Sequence, residues 1–298
     1  MGLPAATGDQ GTKTDFRIDT GLRGGYYAPR HFRLPKEEKR MFPPIPRIIS
    51  SALGLGLLSL TLATARADIA GHGLTILTAD TNGNSASYTA EVVWTGDRWS
   101  FELSEMTELR DPDNNELVAT LNPPDLGAIT SIEYFTDPVV SLNFSVQAGG
   151  TTTTFMIASA LLSFPTLNNP DGAASAAYSV SDFTGNGATL TGIGDPGGAG
   201  GAYLAQYNGF AGTVSGTTFA ELHQQIIAGP FSTNTSTEEQ PPGGGFQPIS
   251  GAVNDMSALV SFTLTPFDLA SGTTTYVIVP EPASLVPLML GVGLLRRR

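Results

Sequence analysis

The chain has 298 residues, a formal net charge of −12 and no cysteine, which excludes disulfide staples, zinc–thiolate centres and a cysteine nucleophile. Its cations sit near the ends: Asp68–Val279 keeps only Arg98 and Arg110 against 21 Asp and Glu, a net charge of −19 over 212 residues without one lysine. Such a surface is a poor partner for nucleic acid and anionic lipid, attracts divalent cations and repels itself in solution.

Residues 1–40 are polar, hold eight Lys and Arg, and show neither a helical nor a strand period. They read as a flexible leader, and Met41 stands where a signal peptide ordinarily begins. Residues 41–67 supply that peptide: Arg47 as its positive start, an apolar stretch from Ile48 to Leu62, and Ala65 and Ala67 in the A-x-A arrangement that signal peptidase reads. Cleavage is expected before Asp68, with Ala63-Thr64-Ala65 as the other possible site.

Residues 68–279 read as a β domain. Trp99, Phe101 and Leu103, then Leu142, Phe144 and Val146, then Val260, Phe262 and Leu264 alternate with Ser, Thr, Asn, Gln and Glu. Period-two patterning with a wet hydroxyl face is what a half-buried antiparallel sheet requires. Turn-forming clusters separate the runs, among them Asp111-Pro112, Asn122-Pro123-Pro124 and Pro170-Asp171-Gly172. Asn82-Gly83 between Leu74–Ala79 and Ser87–Trp94 predicts a hairpin. About ten such strands predict an antiparallel β-sandwich, all-β but for one short helix. That helix is placed at Thr218, where a capping-box spacing to Glu221 precedes Phe219, Leu222 and Ile226 at helical intervals and Gly229-Pro230 stops the run. The polar, Pro- and Gly-rich stretch 232–248 is expected to be a loop.

Several groups invite a chemical reading. Asp80, Asn82, Asn84 and Glu91 occupy positions 1, 3, 5 and 12 of an EF-hand-like calcium loop, although position 6 is Ser85 where that loop needs glycine. Asp111, Asp113, Asn115 and Glu116 form a second oxygen-rich turn. Calcium is therefore a weak possibility, and otherwise no cofactor or metal is expected. Glu102, Glu105 and Glu108 could include a glycosidase pair, but no aromatic-rich stretch marks a sugar cleft and they read as a charged outer face. His72 lies close to the expected new N-terminus and His223 on the expected helix, so neither suits the general base of a Ser-His-Asp triad. Gly192–Gly201 lacks the Lys-Ser/Thr ending of a phosphate loop and reads as a flexible connection.

The C-terminus carries the clearest signal. Pro280-Glu281-Pro282 is followed by Ala283-Ser284, an uncharged, mostly apolar run to Leu295, and Arg296, Arg297 and Arg298. The 13 residues from Ala283 to Leu295 fall short of the ~20 a permanent helical span needs, and the arginines would remain on the cytoplasmic side. This ordered motif, apolar run and basic end resembles the PEP-CTERM sorting signal, here 280–298. The resemblance implies an exported bacterial protein held transiently at the inner membrane by an apolar helix and processed by an exosortase-type enzyme. It also implies delivery to the cell envelope or an extracellular matrix. It carries address and processing, not activity.

Three function classes follow: a non-catalytic structural or adhesive surface protein, a carbohydrate-binding module acting on exopolysaccharide, and a secreted hydrolase. The first accounts for the tail, the acidic Thr/Ser/Gly-rich body and the lack of catalytic residues. The second needs an exposed aromatic platform, for which Trp94, Tyr134, Tyr178, Tyr203 and Tyr207 are available, although many of them must be core.

Overall fold

The computed structural model describes residues 67–194, 200–211 and 215–281. Ala65, the rest of the signal peptide before Ala67, the leader, and the tail from Pro282 through Arg296, Arg297 and Arg298 lie outside the described residues.

The described chain is all-β, with two antiparallel sheets stacked as a sandwich. One sheet has eight strands: β1 (Asp68–Asp80), β2 (Ser85–Ala90), β9 (Thr153–Asn168), β11 (Ala188–Gly192), β12 (Tyr203–Tyr207), β13 (Thr217–Leu222), β14 (Gln225–Ala228) and β17 (Ala252–Leu264). Its main path runs β13-β12-β17-β9-β1-β2. The other has ten: β3 (Val93–Trp94), β4 (Arg98–Leu103), β5 (Thr107–Arg110), β6 (Leu117–Leu121), β7 (Thr130–Phe135), β8 (Val139–Ala148), β10 (Asp171–Ser181), β15 (Thr233–Gln240), β16 (Gln247–Pro248) and β18 (Leu269–Val279). Its path runs β15-β10-β18-β8-β7-β4-β3. Eighteen strands replace the ten or so expected, because many are too short to show a period.

The alternating runs turn one face inward as their sequence demands: Leu142, Phe144, Val146, Val260, Phe262 and Leu264 are all buried. Phe144 of β8 meets Phe262 of β17 with ring centroids 5.6 Å apart, and Phe262 meets Phe155 of β9 at 5.3 Å, so the two sheets share one aromatic core. Gly272 makes room beside it, since a Cβ there would stand 2.4 Å from the Tyr178 ring and 2.7 Å from that of Phe144. The Tyr134 hydroxyl bolts the layers together, accepting from the Ala160 amide at 2.6 Å and donating to the Gly73 carbonyl.

The predicted hairpin forms, with Ala79 opposite Ser85 and Leu74 opposite Ala90. Two expectations fail. The segment expected as a helix is the two strands β13 and β14, joined at His223, whose φ is +60°. Ala220 and Leu222, then Ile226 and Ala228, point inward in strand alternation, and the helical spacing of Phe219, Leu222 and Ile226 is a coincidence of two strands and a turn. The segment expected as a loop contains β15, which pairs with β10 over Thr233–Gln240. An edge strand exposed on both faces needs no apolar alternation, so its Thr-rich sequence supplies β propensity without a visible period.

Both ends of the described domain leave the sandwich on the same side: Asp68 pairs with Ser163 near the end of β9, and Val279 with Asp171 at the start of β10. Gathered at the opposite side are the turns 80–84, 111–116, 149–152, 182–187, 229–232 and 265–268, which connect strand ends there.

Candidate functional site

The turn-rich end is where the sequence-predicted polar residues converge. Asp80 accepts the amides of Asn82 and Asn84 at 2.8 and 2.9 Å and the Asn84 side-chain amide at 2.9 Å. Asp111 accepts the Ser85, Asp113 and Asn114 amides at 2.7, 2.9 and 3.3 Å. The Ser85 bond joins the two oxygen-rich turns, as does the Asn114 side chain donating to Asn84 Oδ1 at 2.7 Å. Between them lies a cleft of about 270 Å³ lined chiefly by Asp80, Asn82, Asn84, Asn114, Glu116 and Thr151.

These carboxylates hold turns by collecting backbone amides. Partial desolvation raises the Asp80 pKa, but the hydrogen bonds from Asn84 and Asn82 outweigh it and leave it below the usual value. The Ser85 and Asp113 amides likewise lower that of Asp111. Glu91 does not join Asp80: it sits past the far end of β2 and meets His72 Nδ1 at 2.5 Å on the surface. Among the described residues no group of three or more His, Cys, Asp or Glu is arranged to hold a metal ion.

A third carboxylate was missed by sequence reasoning. Asp182, at the end of β10, is 4% exposed and accepts the amides of Thr184, Gly185, Gly187 and Phe231 and the Thr184 hydroxyl, at 2.8–3.1 Å. Desolvation opposes its ionisation, yet these donors, led by Phe231 and Gly187, hold it well below the carboxylate range. Next to it in the strand register is Asp268, fully buried. Asp268 Oδ2 accepts from the Thr265 hydroxyl, while Oδ1 has no donor. Burial first, and then the charge of Asp182, push the Asp268 carboxyl up to about 6. The signal in the sequence was Asp182-Phe-Thr-Gly-Asn-Gly187, a turn cluster whose first residue can cap the amides that follow.

The other candidates disperse. Glu102, Glu105 and Glu108 are exposed, and Glu108 pairs with Arg110 at 2.9 Å. His223 is enclosed in the core, its Nε2 2.9 Å from the Ala176 carbonyl and its ring stacked 4.8 Å from that of Tyr178. Tyr134, Tyr178 and Tyr203 are buried, Tyr207 is half-buried, and Trp94 lies half-buried against Trp99. The platform that a carbohydrate-binding module would need is therefore not assembled from these residues. The aromatic side chains that do stand out at the turn-rich end are Phe183, Phe231 and Phe267.

Of the sorting motif, Pro280 and Glu281 are described. Both are exposed and follow β18 directly. No helix among the described residues is long and apolar enough to cross a membrane.

No family model and no curated protein matches the chain. Among solved structures, the chain is weakly similar to infectious bursal disease virus Gt strain (11% identity, 74% of this chain and 68% of that one, TM-score 0.15). It is also weakly similar to the Gx strain (13% identity, 75% and 82%, TM-score 0.12). Likeness at that level carries no conclusion about fold or function.

Proposed function

We propose that this chain is an exported, non-catalytic structural or adhesive protein of the bacterial cell envelope or extracellular matrix. Signal peptidase removes its N-terminal segment. The Pro280-Glu281-Pro282 signal with Arg296, Arg297 and Arg298 holds it briefly at the inner membrane for an exosortase-type enzyme. The observation that carries this reading is the ordered tail, together with the place where it leaves the domain: Pro280 and Glu281 are exposed immediately after the last paired residue of β18. A dense β-sandwich with a net charge of −19 over residues 68–279 suits a soluble, persistent extracellular body.

The test is the fate of the full chain in a bacterium that possesses an exosortase. Fractionation and mass spectrometry are expected to find the wild type in the envelope or medium without the residues before Asp68 and without the arginines. A variant with Pro280, Glu281 and Pro282 all changed to Ala is expected to keep its tail and stay with the inner membrane. Cytoplasmic wild-type chain with both ends intact would sink the reading. The carbohydrate-binding alternative is favoured by a separate observation, the exposed phenylalanines at the turn-rich end.

A further inference from the structure

Phe183, Phe231 and Phe267 lie on three different turns, yet the sheet register brings them together. Thr233 of β15, Ser181 of β10 and Leu269 of β18 form the last paired row on three neighbouring strands. One residue further out stand Ser232, Asp182 and Asp268, with the Asp182 amide donating to the Ser232 carbonyl at 3.0 Å. One residue beyond that come the three phenylalanines. Their backbones thus cap three adjacent strands, which lie ~4.8 Å apart, with the Phe231 ring over Gly185 and the Phe267 ring against Gly150.

The rings face solvent: Phe231 is 74% exposed, Phe183 53% and Phe267 52%. Phe231 and Phe267 also have φ of +51° and +61°, a left-handed backbone that bulky residues rarely adopt and that carries strain. The row is braced from below. The Phe231 amide is one of the donors to Asp182. The Phe231 ring rests over Gly185, where a Cβ would stand 2.2 Å from it. Phe267 is held by its amide on the Gly149 carbonyl at 2.9 Å and by Gln147 donating to its own carbonyl at 3.1 Å. Three exposed apolar rings in one row, two of them at strained positions on well-anchored turns, mark an interaction site better than chance exposure does.

We infer that this row is a stacking platform for a neutral polysaccharide, the contact through which the adhesive role proposed above is exercised. Three features select that occupant. The ring-bearing stretches 183–187, 229–232 and 265–267 contain no charged residue, and the adjoining Asp182 and Asp268 are buried. Beside the rings exposed Asn186 offers an amide, and the Thr184 and Ser232 hydroxyls, which donate to Asp182 and the Gly229 carbonyl, can still accept. A flat apolar face edged by hydroxyl and amide groups is complementary to a sugar ring, which presents C–H groups on its faces and hydroxyls around its rim. The surrounding charge of −19 opposes an anionic polymer, an anionic bilayer and a second copy of the chain alike. Three rings are also far fewer than the ~20–30 residues a side of a stable protein interface.

The test is co-sedimentation of the full-length protein with cellulose, chitin and curdlan, beside the variant Phe183→Ser, Phe231→Asn, Phe267→Asn. Asn tolerates positive φ, so the variant is expected to fold and to melt no lower than the wild type. Wild type is expected to bind at least one polymer, and the variant at least about eightfold more weakly, since each of the three stacked rings contributes about two- to tenfold. Equal binding by the two proteins, or no binding by wild type to any of the three, overturns the inference. So does row-dependent capture by phosphatidylcholine vesicles in place of polymer, or row-dependent dimerisation in sedimentation velocity. These measurements need no export, so a mislocalised protein that still binds would sink the address reading alone.

Discussion

The turn-rich end of this sandwich and the β9–β10 turn at its opposite end are closed by different chemistry. At the turn-rich end Asp80, Asp111 and Asp182 draw backbone amides around carboxylates, and Asp268 is buried beside one of them. At the end where Asp68 and Val279 emerge, the β9–β10 turn is closed by uncharged groups. There Asn169 exchanges bonds with Gly251, and the Ile249 amide donates to the Pro170 carbonyl at 2.7 Å. Anionic caps are the stronger acceptors, but they tie the geometry of one end to pH. The uncharged caps leave the β9–β10 turn indifferent to it, although at the same end Asp255 accepts the Gly209 amide at 2.7 Å.

The largest expected effect comes from Asp182→Ala. It strands four backbone amides and a hydroxyl that now share one carboxylate, and stranded donors lose more than the bond itself contributed. The melting temperature is expected to fall on the order of 10 °C, with hydrogen exchange accelerating in 182–187 and 229–232 and little changed at 168–171 and 249–251. Uniform acceleration throughout the domain would mean the two ends do not open separately.

The next effect is the pH dependence of Asp268→Asn. The folded Asp268 carboxyl titrates at about 6, raised from an ordinary 3.8 by burial and by Asp182. A raised folded pKa means its contribution is fully present below about pH 4 and is lost as pH climbs to 6. Asp80, Asp111 and Asp182 are shifted the other way, so what they contribute is present above about pH 4 and lost as pH falls further. Thermal melts are therefore expected to show Asp268→Asn close to wild type at pH 4 and several degrees more stable at pH 7. A variant that is no more stable at pH 7 than at pH 4, relative to wild type, would show that Asp268 ionises freely in the folded protein.

Gly272→Ala tests the ground between the ends. Its Cβ would meet Tyr178 at 2.4 Å and Phe144 at 2.7 Å, and overpacking of this kind typically costs about 1–3 kcal/mol. Because no titratable carboxyl touches that contact, the loss read from urea denaturation is expected to be the same at pH 5 and pH 7.

Much of this was legible wherever large apolar and small polar residues alternate along a strand. In β8 and β17 Phe144 and Phe262 alternate with Asn143, Ser145 and Thr263, and the period declares the strands even where the polar partner, as Ser145, is itself buried. Where that condition lapses the sequence falls silent. β15 is exposed along nearly its whole length, so nothing in its Thr, Ser and Glu residues separates an edge strand from a loop. β13 and β14 are too short to establish a period, and tertiary pairing with β12 and β11 overrides an apparent capping box. The oxygen-rich turns at Asp80 and Asp111 could each be seen, but not that Ser85 and Asn114 join them across 26 and 30 residues. That many of the tyrosines must be core could be read from composition, but not which ones, since a phenol packs into a core whenever its ring gains more than its hydroxyl loses. The phenylalanine row left a fainter trace, each ring directly after a turn residue: Asp182-Phe183, Pro230-Phe231 and Pro266-Phe267.

The smallest effect sharpens the contrast most. Asn169 has φ +47° and its side-chain oxygen accepts the Gly251 amide at 2.9 Å. Asn169→Gly removes that bond, worth about 0.5–1.5 kcal/mol, and relaxes the left-handed backbone, while a freer unfolded chain takes back part of the gain. The net change is expected to stay below about 1 kcal/mol. Its value matters less than its pH profile. Nothing that titrates takes part in the Asn169–Gly251 exchange, so the same small difference should appear in melts at pH 4 and pH 7. At the other end Asp268→Asn changes the answer between those two conditions. A pH-dependent Asn169→Gly effect would mean that carboxylates outside the exchange are felt at it, whether Asp171 and Asp255 at the same end or those of the turn-rich end.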